Sequence, residues 1–365
     1  MAFPEKSIVI VGGGIVGLCL GVAALARGYS TTLIARDEVR ATASGVAAGM
    51  IAPVLEAIGD PEPVLAFQRL KAAQNAWLGT FDLWPEPVQQ ALAEGMSTPT
   101  LYSWSSGFNP AGSNEVVRPV IEAMGARFVQ LDDDALRIEG LDSEGESAIR
   151  VDDDWLVETT RILDALESGF TMRGGLIVRG EAVSVTANAV VLGDGRELHG
   201  DRVVVASGYG SRAFAATIPS LGVLTPIKGH LLDLPSQGAP GVTRTATGYL
   251  ADYGASAKFG ASMEHGREDL DVDPAMVADL KARATQLFRE IATGDAVPRT
   301  GIRASTPDGW PLIGLDSASG VWLAVGMRRN GYVFAPFAAD IILDGIEGRA
   351  RPDAEAYDPQ RFSKP

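Results

Sequence analysis

The sequence is poor in residues that bind metals or form cross-links. It contains one cysteine, Cys19, and three histidines, His199, His230 and His265, which lie far apart along its 365 residues. A single cysteine excludes an intramolecular disulfide and a cysteine-based zinc site. The dispersed histidines argue against a histidine-rich metal site. We therefore expect no metal in this protein.

Acidic residues outnumber basic residues in this sequence. The chain has 31 lysines and arginines against 46 aspartates and glutamates, a formal net charge of −15. Such a surface repels phosphate backbones and anionic lipid, which argues against nucleic-acid and membrane-surface binding. The apolar stretch from Ile8 to Ala26 is interrupted by four glycines between Gly12 and Gly17, and no small-residue cleavage site follows it. We expect a cytoplasmic protein without integral membrane association.

Glycine and apolar residues, by contrast, are abundant. Glycine occupies 42 positions, well above its usual share of about 7%. This excess indicates many close backbone approaches, as around a large ligand. Hydrophobic residues make up 46% of the chain, enough for a sizeable core, and the length favours about two domains.

The N-terminal residues predict a βαβ unit. Ser7–Val11 is a short apolar run rich in β-branched residues, typical of a central parallel strand. Residues 15–27 predict a helix, and Gly28 stands where a helix C-cap belongs. Thr31–Ile34 then predicts the second strand.

Three glycines occupy the junction between the first strand and the helix. In the pattern Gly12-x-Gly14-x-x-Gly17, the first glycine permits a tight turn, the second lets the backbone approach a pyrophosphate, and the third lets helix and strand pack closely. The helix N-terminus then faces the anion with free N–H groups. The sequence therefore predicts a dinucleotide site, which also includes Ile15 and Val16.

The end of the second strand departs from the usual dinucleotide pattern. An acidic residue is expected there to bind the ribose hydroxyls, but the position holds Ala35, followed by Arg36 and Asp37. Arg36 would favour the 2′-phosphate of NADP. Alternatively, Arg36 or Asp37 would contact the adenosine ribose of FAD. The first βαβ unit leaves both interpretations open.

Later segments also have the composition of backbone that approaches a ligand. Residues 41–53 are nearly all small, and the predicted strand Val203–Val205 runs into Ala206, Ser207 and Gly208. The predicted strand Val321–Val325 is followed by a second glycine-punctuated junction at 326–332 and a helix over about 333–344. Leu156–Leu166 predicts a further helix that ends before Gly169.

Together these blocks resemble the D-amino-acid oxidase / glycine oxidase (DAO) family of FAD-dependent amine oxidoreductases. Residues 44–53 resemble its S-x-x-A-A-G-M-x-A-P segment, and residues 301–314 resemble G-x-R-P-x-T-P-D-G-x-P-x-I-G, with Ala304 in place of proline. Residues 326–331 resemble G-H-x-R-N-G, with Met327 in place of histidine. The blocks span nearly the whole chain in the family's order, whereas about 56–150 matches only loosely.

The resemblance implies an α/β (α+β overall) fold that is discontinuous in sequence. A Rossmann-like FAD-binding domain would comprise residues 1–53, 155–220 and 300–365. A substrate domain, mostly an antiparallel sheet, would comprise 54–154 and 221–299.

The resemblance also implies FAD as the cofactor. With no cysteine or histidine in 37–60 and no cysteine near the C-terminal blocks, we expect non-covalent binding. The implied cofactor-binding residues are Gly12, Gly14, Ile15, Val16, Gly17, Ala35, Arg36, Ser44, Ala47, Ala48, Gly49, Met50, Val183, Ala206, Ser207, Gly208, Arg303, Gly326, Arg329, Asn330, Gly331 and Tyr332.

Four residues are candidates for contact with the substrate or the flavin. Carried over from the family, Arg303 would bind the substrate carboxylate bidentately, Tyr249 would hydrogen-bond it, and Arg329 would lie near flavin and substrate. Lys258 has two interpretations. It faces the flavin and promotes oxygen reduction, as a lysine does in related sarcosine oxidases, or it points outward from an alternating strand.

The implied activity is oxidation of the Cα–N bond of glycine, sarcosine or a D-amino acid by hydride transfer to flavin N5, with hydrolysis of the imine to a keto acid. Oxygen would be the acceptor. The alternatives are a dehydrogenase that passes electrons to a quinone or partner protein, a non-catalytic flavin-binding subunit, and an NADP-dependent dehydrogenase. The cluster of Arg299, Arg303, Arg328 and Arg329 would bind a second anionic group of the substrate, neutralise the FAD pyrophosphate or pair with surface acids. Homo-oligomerisation stays open.

Overall fold

The computed structural model describes residues 6–105, 114–131, 146–238, 240–245, 248–288 and 291–362. Among these residues, no helix combines the length and the apolar character needed to cross a membrane.

Twenty strands lie within the described residues. They are β1 (Ser7–Val11), β2 (Ser30–Ala35), β3 (Met50–Ile51), β4 (Thr100–Ser105), β5 (Phe128–Leu131), β6 (Glu146–Val151), β7 (Trp155–Leu156), β8 (Leu176–Arg179), β9 (Ala182–Val185), β10 (Ala189–Leu192), β11 (Glu197–His199), β12 (Arg202–Val205), β13 (Thr225–Pro235), β14 (Gly241–Arg244), β15 (Tyr249–Asp252), β16 (Ser256–Gly260), β17 (Glu264–His265), β18 (Val297–Ser305), β19 (Leu312–Asp316) and β20 (Val321–Val325).

Nine α-helices lie within the same residues. They are α1 (Ile15–Ala26), α2 (Ala43–Val46), α3 (Pro53–Ala57), α4 (Pro63–Gly79), α5 (Glu86–Ser97), α6 (Asn114–Met124), α7 (Thr159–Met172), α8 (Pro274–Leu287) and α9 (Gly331–Ile346).

The first sheet is built around β1. Its described strands follow the order β19-β20-β12-β1-β2-β8, and all neighbours are parallel except β19 and β20. Ile8 and Ile10 pack into the core formed with α1 and α9, whereas Val9 and Val11 pack into the core on the opposite face. Burial on both faces explains the continuous apolar run of β1.

The second sheet is mostly antiparallel. Its described strands follow the order β17-β13-β16-β15-β14-β4-β6-β5, with β18 paired to β13. The pair β14 and β4 is the parallel exception. Side chains of α8, including Leu280 and Ala284, pack with Leu232 and Phe259 in the core of this sheet. The predicted α/β class, with a Rossmann-like unit and a mostly antiparallel second sheet, is confirmed.

The first βαβ unit follows its local sequence signals closely. Strand β1 has the predicted bounds, and α1 ends at Ala26. Gly28 adopts a left-handed φ of 82°, its N–H donates to the Leu25 carbonyl, and the Tyr29 N–H donates to the Ala24 carbonyl. This arrangement is a Schellman cap, which accounts for the helix ending where glycine occurs.

The helix predicted over Leu156–Leu166 was misplaced at both ends. Trp155 and Leu156 instead form β7, which pairs with β3, and the helix runs from Thr159 to Met172. It continues through Gly169, and the glycine there is required by packing rather than by helix termination, because a Cβ would lie 2.2 Å from Pro85 Cγ. Tertiary pairing and packing therefore overrode the local pattern.

Candidate active site

A cavity of about 1240 Å³ is lined by residues of both sheets. Its walls include the carboxyl ends of β1, β2 and β12, at Val11, Ala35 and Ala206, and residues of β13, β15, β16 and β18 from the second sheet. Ligands of open α/β sheets bind at such strand ends. The volume exceeds the about 300–1,000 Å³ of ordinary ligand pockets, so a dinucleotide and a small substrate fit together.

The predicted glycine turn forms one end of the cavity. Gly12 has a left-handed φ of 127°, and a Cβ there would lie 2.4 Å from the Ala206 carbonyl oxygen. A Cβ on Gly17 would lie 1.8 Å from the Gly12 carbonyl oxygen, which is why helix and strand approach so closely. Helix α1 begins at Ile15, immediately after the turn, and its N-terminus lines the cavity. These residues fit the pyrophosphate of a dinucleotide such as FAD.

Arg36 lies at the same end but is already matched by acids. Its guanidinium forms ion pairs with Asp37 at 2.9 Å and with Glu181 at 3.6 Å. A guanidinium neutralised by two carboxylates is a poor receptor for the 2′-phosphate of NADP. The NADP interpretation of Arg36 therefore has no support in this arrangement.

Residues 44–48 form a segment whose members, except Gly45, line the cavity. Each of its five backbone carbonyls accepts a hydrogen bond from a side chain outside the segment. The Tyr332 hydroxyl donates to the Ser44 carbonyl at 3.0 Å, and the Tyr253 hydroxyl donates to the Ala48 carbonyl at 2.7 Å. The Lys258 ammonium donates to the carbonyls of residues 45, 46 and 47, each at 3.0 Å. The Ser44 Oγ also accepts from the Ile15 N–H at 3.1 Å, which joins the segment to the glycine turn. We call residues 44–48 the clamped segment.

Lys258 thus does not point outward from its strand as one interpretation expected, and its role towards the flavin stays a prediction. It lies behind the clamped segment and is not among the residues that line the cavity, and its side chain is only 11% exposed. Asp233 lies 4.0 Å from its Nζ. Burial lowers the pKa of Lys258, and the nearby Asp233 carboxylate partly offsets this. A lysine at the surface of an alternating strand would not bind three carbonyls.

Arg303 and Tyr249 meet on the side of the cavity formed by the second sheet. The Arg303 guanidinium lies over Gly229, where a Cβ would come 2.3 Å from Nη1. It donates to the Ser262 carbonyl at 3.3 Å, and it forms no ion pair with any described residue. The Tyr249 hydroxyl lies over Gly260, where a Cβ would be 3.1 Å away. Burial raises the pKa of Tyr249, and the Arg303 charge opposes that rise, so Tyr249 keeps its proton at neutral pH.

Glu56 is a functional-site residue that sequence reasoning missed. Its carboxylate, 8% exposed, accepts from Arg244 at 2.8 Å and also pairs with Arg329. Burial would raise the pKa of Glu56, but the two guanidinium groups overcome it and hold the pKa below its usual range. One signal was available, because Glu56 is the only charged residue in positions 41–59.

Arg328 extends this cluster along the cavity wall. Its φ of 52° is the left-handed conformation, and its N–H donates to the Ala304 carbonyl at 2.7 Å. Its guanidinium is half-buried and has no carboxylate within ion-pair distance among the described residues. Burial lowers the pKa of Arg328, and the neighbouring Arg329 charge lowers it further.

Most predicted site residues line this one cavity. They are Gly12, Gly14, Ile15, Val16, Ala35, Arg36, Ser44, Ala47, Ala48, Gly49, Met50, Ala206, Ser207, Gly208, Tyr249, Arg303, Gly326, Arg329, Asn330, Gly331 and Tyr332.

Three predicted residues lie outside the cavity lining. Gly17 packs against the turn from behind, and Lys258 lies behind the clamped segment. Val183 is 56% exposed, while its neighbour Ala182 lines the cavity. Successive residues of a strand point to opposite faces, so the Val183 side chain points away from the lining that holds Ala182, and its contact with the cofactor stays a prediction.

This geometry joins a dinucleotide turn to a cavity that holds an arginine without an acidic partner among the described residues. Residues 7–344 match the family described as FAD dependent oxidoreductase (DAO), and the chain belongs to it. The cofactor of this family is FAD, which agrees with the fit of the turn and with the acid-paired Arg36.

Individual relatives agree with this assignment. The bifunctional protein ThiO/ThiG of Synechocystis sp. is 29% identical over 98% of this chain and 54% of its own length, so the chain spans about half of that relative. The glycine oxidase of Pseudomonas aeruginosa is 23% identical over 94% of this chain and 96% of its own. In structure, the glycine oxidase from Geobacillus kaustophilus superimposes with a TM-score of 0.80 at 20% identity, covering 98% of this chain and 99% of that one.

Proposed function

We propose that this protein oxidises the Cα–N bond of a small amino acid, such as glycine, sarcosine or a D-amino acid, with non-covalently bound FAD as the electron acceptor. The observation that carries the proposal is the Arg303 guanidinium, which faces a cavity continuous with the dinucleotide turn and forms no ion pair with any described residue. A buried cation without a counter-charge is unfavourable, so this position favours an anionic ligand.

The surrounding groups suit a carboxylate. The Arg303 guanidinium has donors in a fixed fork that matches both carboxylate oxygens. The Tyr249 hydroxyl makes no hydrogen bond with the described residues, so it is free to donate a further one. Such anchoring fixes the α-carbon of the substrate and reduces the entropic cost of reaching the reactive geometry.

The chain supplies orientation and electrostatics for the reaction. FAD, when bound, accepts the hydride that leaves the α-carbon. The described lining holds no histidine, and its Glu56 carboxylate is already committed to two arginines. We therefore assign no general base, and the substrate amine must enter the reaction neutral, which predicts faster reduction as pH rises through the amine's own pKa.

An anaerobic titration tests the proposal. The purified protein with bound FAD is mixed with glycine, sarcosine, D-amino acids and L-amino acids, and bleaching of the flavin absorbance is followed. Bleaching by one of these groups supports amine oxidation and identifies the class of substrate. Bound flavin that no amine bleaches would contradict the proposal and favour a non-catalytic flavin-binding subunit.

Two arginines of strand β18 provide a matched pair of variants. Arg303→Gln removes the guanidinium inside the cavity and should lower the ratio of reduction rate to dissociation constant by about 100-fold or more, since two charge-assisted hydrogen bonds are lost. Arg299→Gln is the control, because Arg299 is 55% exposed and pairs with Asp233 at 2.9 Å. Equal behaviour of the two variants would refute the role of Arg303.

Admitting air to the reduced enzyme then addresses the electron acceptor. Rapid return of the flavin colour indicates an oxidase. A flavin that stays bleached in air but reoxidises with a soluble quinone analogue indicates a dehydrogenase.

A further inference from the structure

The substrate half of the cavity contains more positive charge than one carboxylate needs. Besides Arg36 and Arg283, four arginines line the cavity, and these four are grouped around Glu56: Arg244, Arg303, Arg328 and Arg329. The Glu56 carboxylate is shared by Arg244 and Arg329. Arg303 and Arg328 are left without an ion pair among the described residues.

Asp60, a further acid that acts on Arg328, does not provide one. Asp60 acts on the charge of Arg328 only weakly and lies beyond ion-pair distance, and its carboxylate accepts from the Glu62 N–H at 2.9 Å. Arg299, the fourth arginine that the sequence grouped with this cluster, is an exposed partner of Asp233 and does not line the cavity. It therefore takes no part in binding.

The backbone of Arg328 supplies an independent observation. A φ of 52° disfavours any residue with a Cβ, and Arg328 is the only non-glycine residue of the described chain that has a positive φ. The conformation is held by its N–H bond to Ala304 in β18 and by the Asn330 N–H bond to the Met327 carbonyl. A long cationic side chain in a strained backbone position next to a cavity indicates a functional role.

Resting on the proposed function, we infer that the substrate carries two carboxylates: Arg303 binds the α-carboxylate, and Arg328 binds a second one. The second carboxylate belongs either to an N-substituent, as in N-(carboxymethyl)glycine, or to an acidic side chain, as in D-aspartate. Both compounds carry two carboxylates within a few bonds of one amine. With both bound, each guanidinium of the cluster has an anionic partner.

Matched pairs of compounds test this inference in the holoenzyme. N-(Carboxymethyl)glycine is compared with its amide, N-(carbamoylmethyl)glycine, and D-aspartate with D-asparagine, by anaerobic flavin bleaching. Each pair differs in one charge and hardly in size. We expect the acid of one pair to exceed its amide by about tenfold or more in the ratio of reduction rate to dissociation constant, because one charge-assisted hydrogen bond is added. The preferred pair identifies the source of the second carboxylate.

Variants connect the preference to Arg328. In Arg328→Gln the acid-to-amide ratio should fall to near unity, Arg328→Lys should retain part of it, and the control Arg299→Gln should keep it unchanged. A binding readout without turnover accompanies them: malonate should perturb the flavin spectrum at lower concentration than acetate, and this difference should vanish in Arg328→Gln.

Failure of the inference is distinguishable from failure of the proposed function. Two results would overturn the inference of a second carboxylate while leaving amine oxidation intact. One is equal bleaching by acid and amide in both pairs, and the other is an unchanged acid-to-amide ratio in Arg328→Gln with normal flavin content. Bleaching by none of the four compounds and by no other amino acid would overturn the proposed function itself.

Discussion

Replacing Lys258 by methionine tests whether this lysine holds the clamped segment or promotes the reaction of reduced flavin with oxygen. Its ammonium donates to three successive carbonyls, of residues 45, 46 and 47, each at 3.0 Å. Methionine has a similar length and no donor, so the variant removes these contacts with little change in volume. These three carbonyls, at and just after the end of the short helix α2, would then lose this partner.

The expected cost follows from these contacts. A buried polar group left without its hydrogen bond costs about 1–3 kcal/mol, and part of the loss is recovered because the variant no longer buries a charge. We therefore expect Lys258→Met to destabilise the clamped segment by about 1–3 kcal/mol in total. If the whole cost falls on the FAD-bound form, the dissociation constant for FAD rises about 5- to 150-fold.

Three measurements distinguish the two roles of Lys258. FAD affinity is obtained by titrating apoprotein and following flavin fluorescence, and stability is obtained from thermal unfolding of the same samples. Lys6→Met is the matched control, because Lys6 is exposed at the start of the described chain. The reduced variant is also mixed with oxygenated buffer to measure flavin reoxidation.

The results have opposite meanings for the two roles. Weaker FAD binding or a lower melting temperature, with reoxidation in proportion to bound flavin, supports a positioning residue. Wild-type affinity and stability combined with slower reoxidation by oxygen would refute the clamp and support the oxygen-reducing role.

Two further variants probe packing and pH dependence. Gly17→Ala should destabilise the protein by about 1–3 kcal/mol or more and weaken FAD binding, because its Cβ would lie 1.8 Å from the Gly12 carbonyl oxygen. Gly59→Ala, which meets nothing within 4 Å, should melt like wild type, and equal melting of both variants would contradict this reasoning. Burial raises the pKa of Asp154 from 3.8 to about 7, so the folded state keeps a proton that the unfolded chain loses, and this group lowers stability as pH rises between these values. Asp154→Asn should flatten the fall in melting temperature across that range, whereas parallel curves for variant and wild type would disprove it.

The parts of the fold that were predictable from sequence are those fixed by local signals. The β1–α1 junction combines a β-branched apolar run, glycines at the required spacing and a C-terminal glycine at position 28, and all three agree with the same local structure. A segment can be predicted from sequence when its residue pattern, turn residues and capping residues all favour the same structure. The bounds of the helix predicted over Leu156–Leu166 were wrong because the residues at its ends contact β3 and Pro85, which are distant in sequence.

The site divides in the same way. The residues of the glycine turn and the residues of the C-terminal blocks line one cavity as expected, because short sequence patterns mark them. Glu56 and Lys258 act through partners more than 180 residues away, at Arg244 and in the clamped segment. No periodicity or local motif predicts contacts between residues so far apart in sequence. The ion pairs of Glu56 and the hydrogen bonds of Lys258 to the clamped segment were therefore visible only in the structure.

The cavity walls also have a consequence for how the protein unfolds. Since they are drawn from both sheets and from chain segments as far apart as residues 12 and 332, a bound cofactor ties together parts that could otherwise open separately. Ligand binding stabilises only the state in which every wall is in place. Addition of FAD should therefore not only raise the melting temperature but also sharpen the transition, merging the loss of the two sheets into one cooperative event.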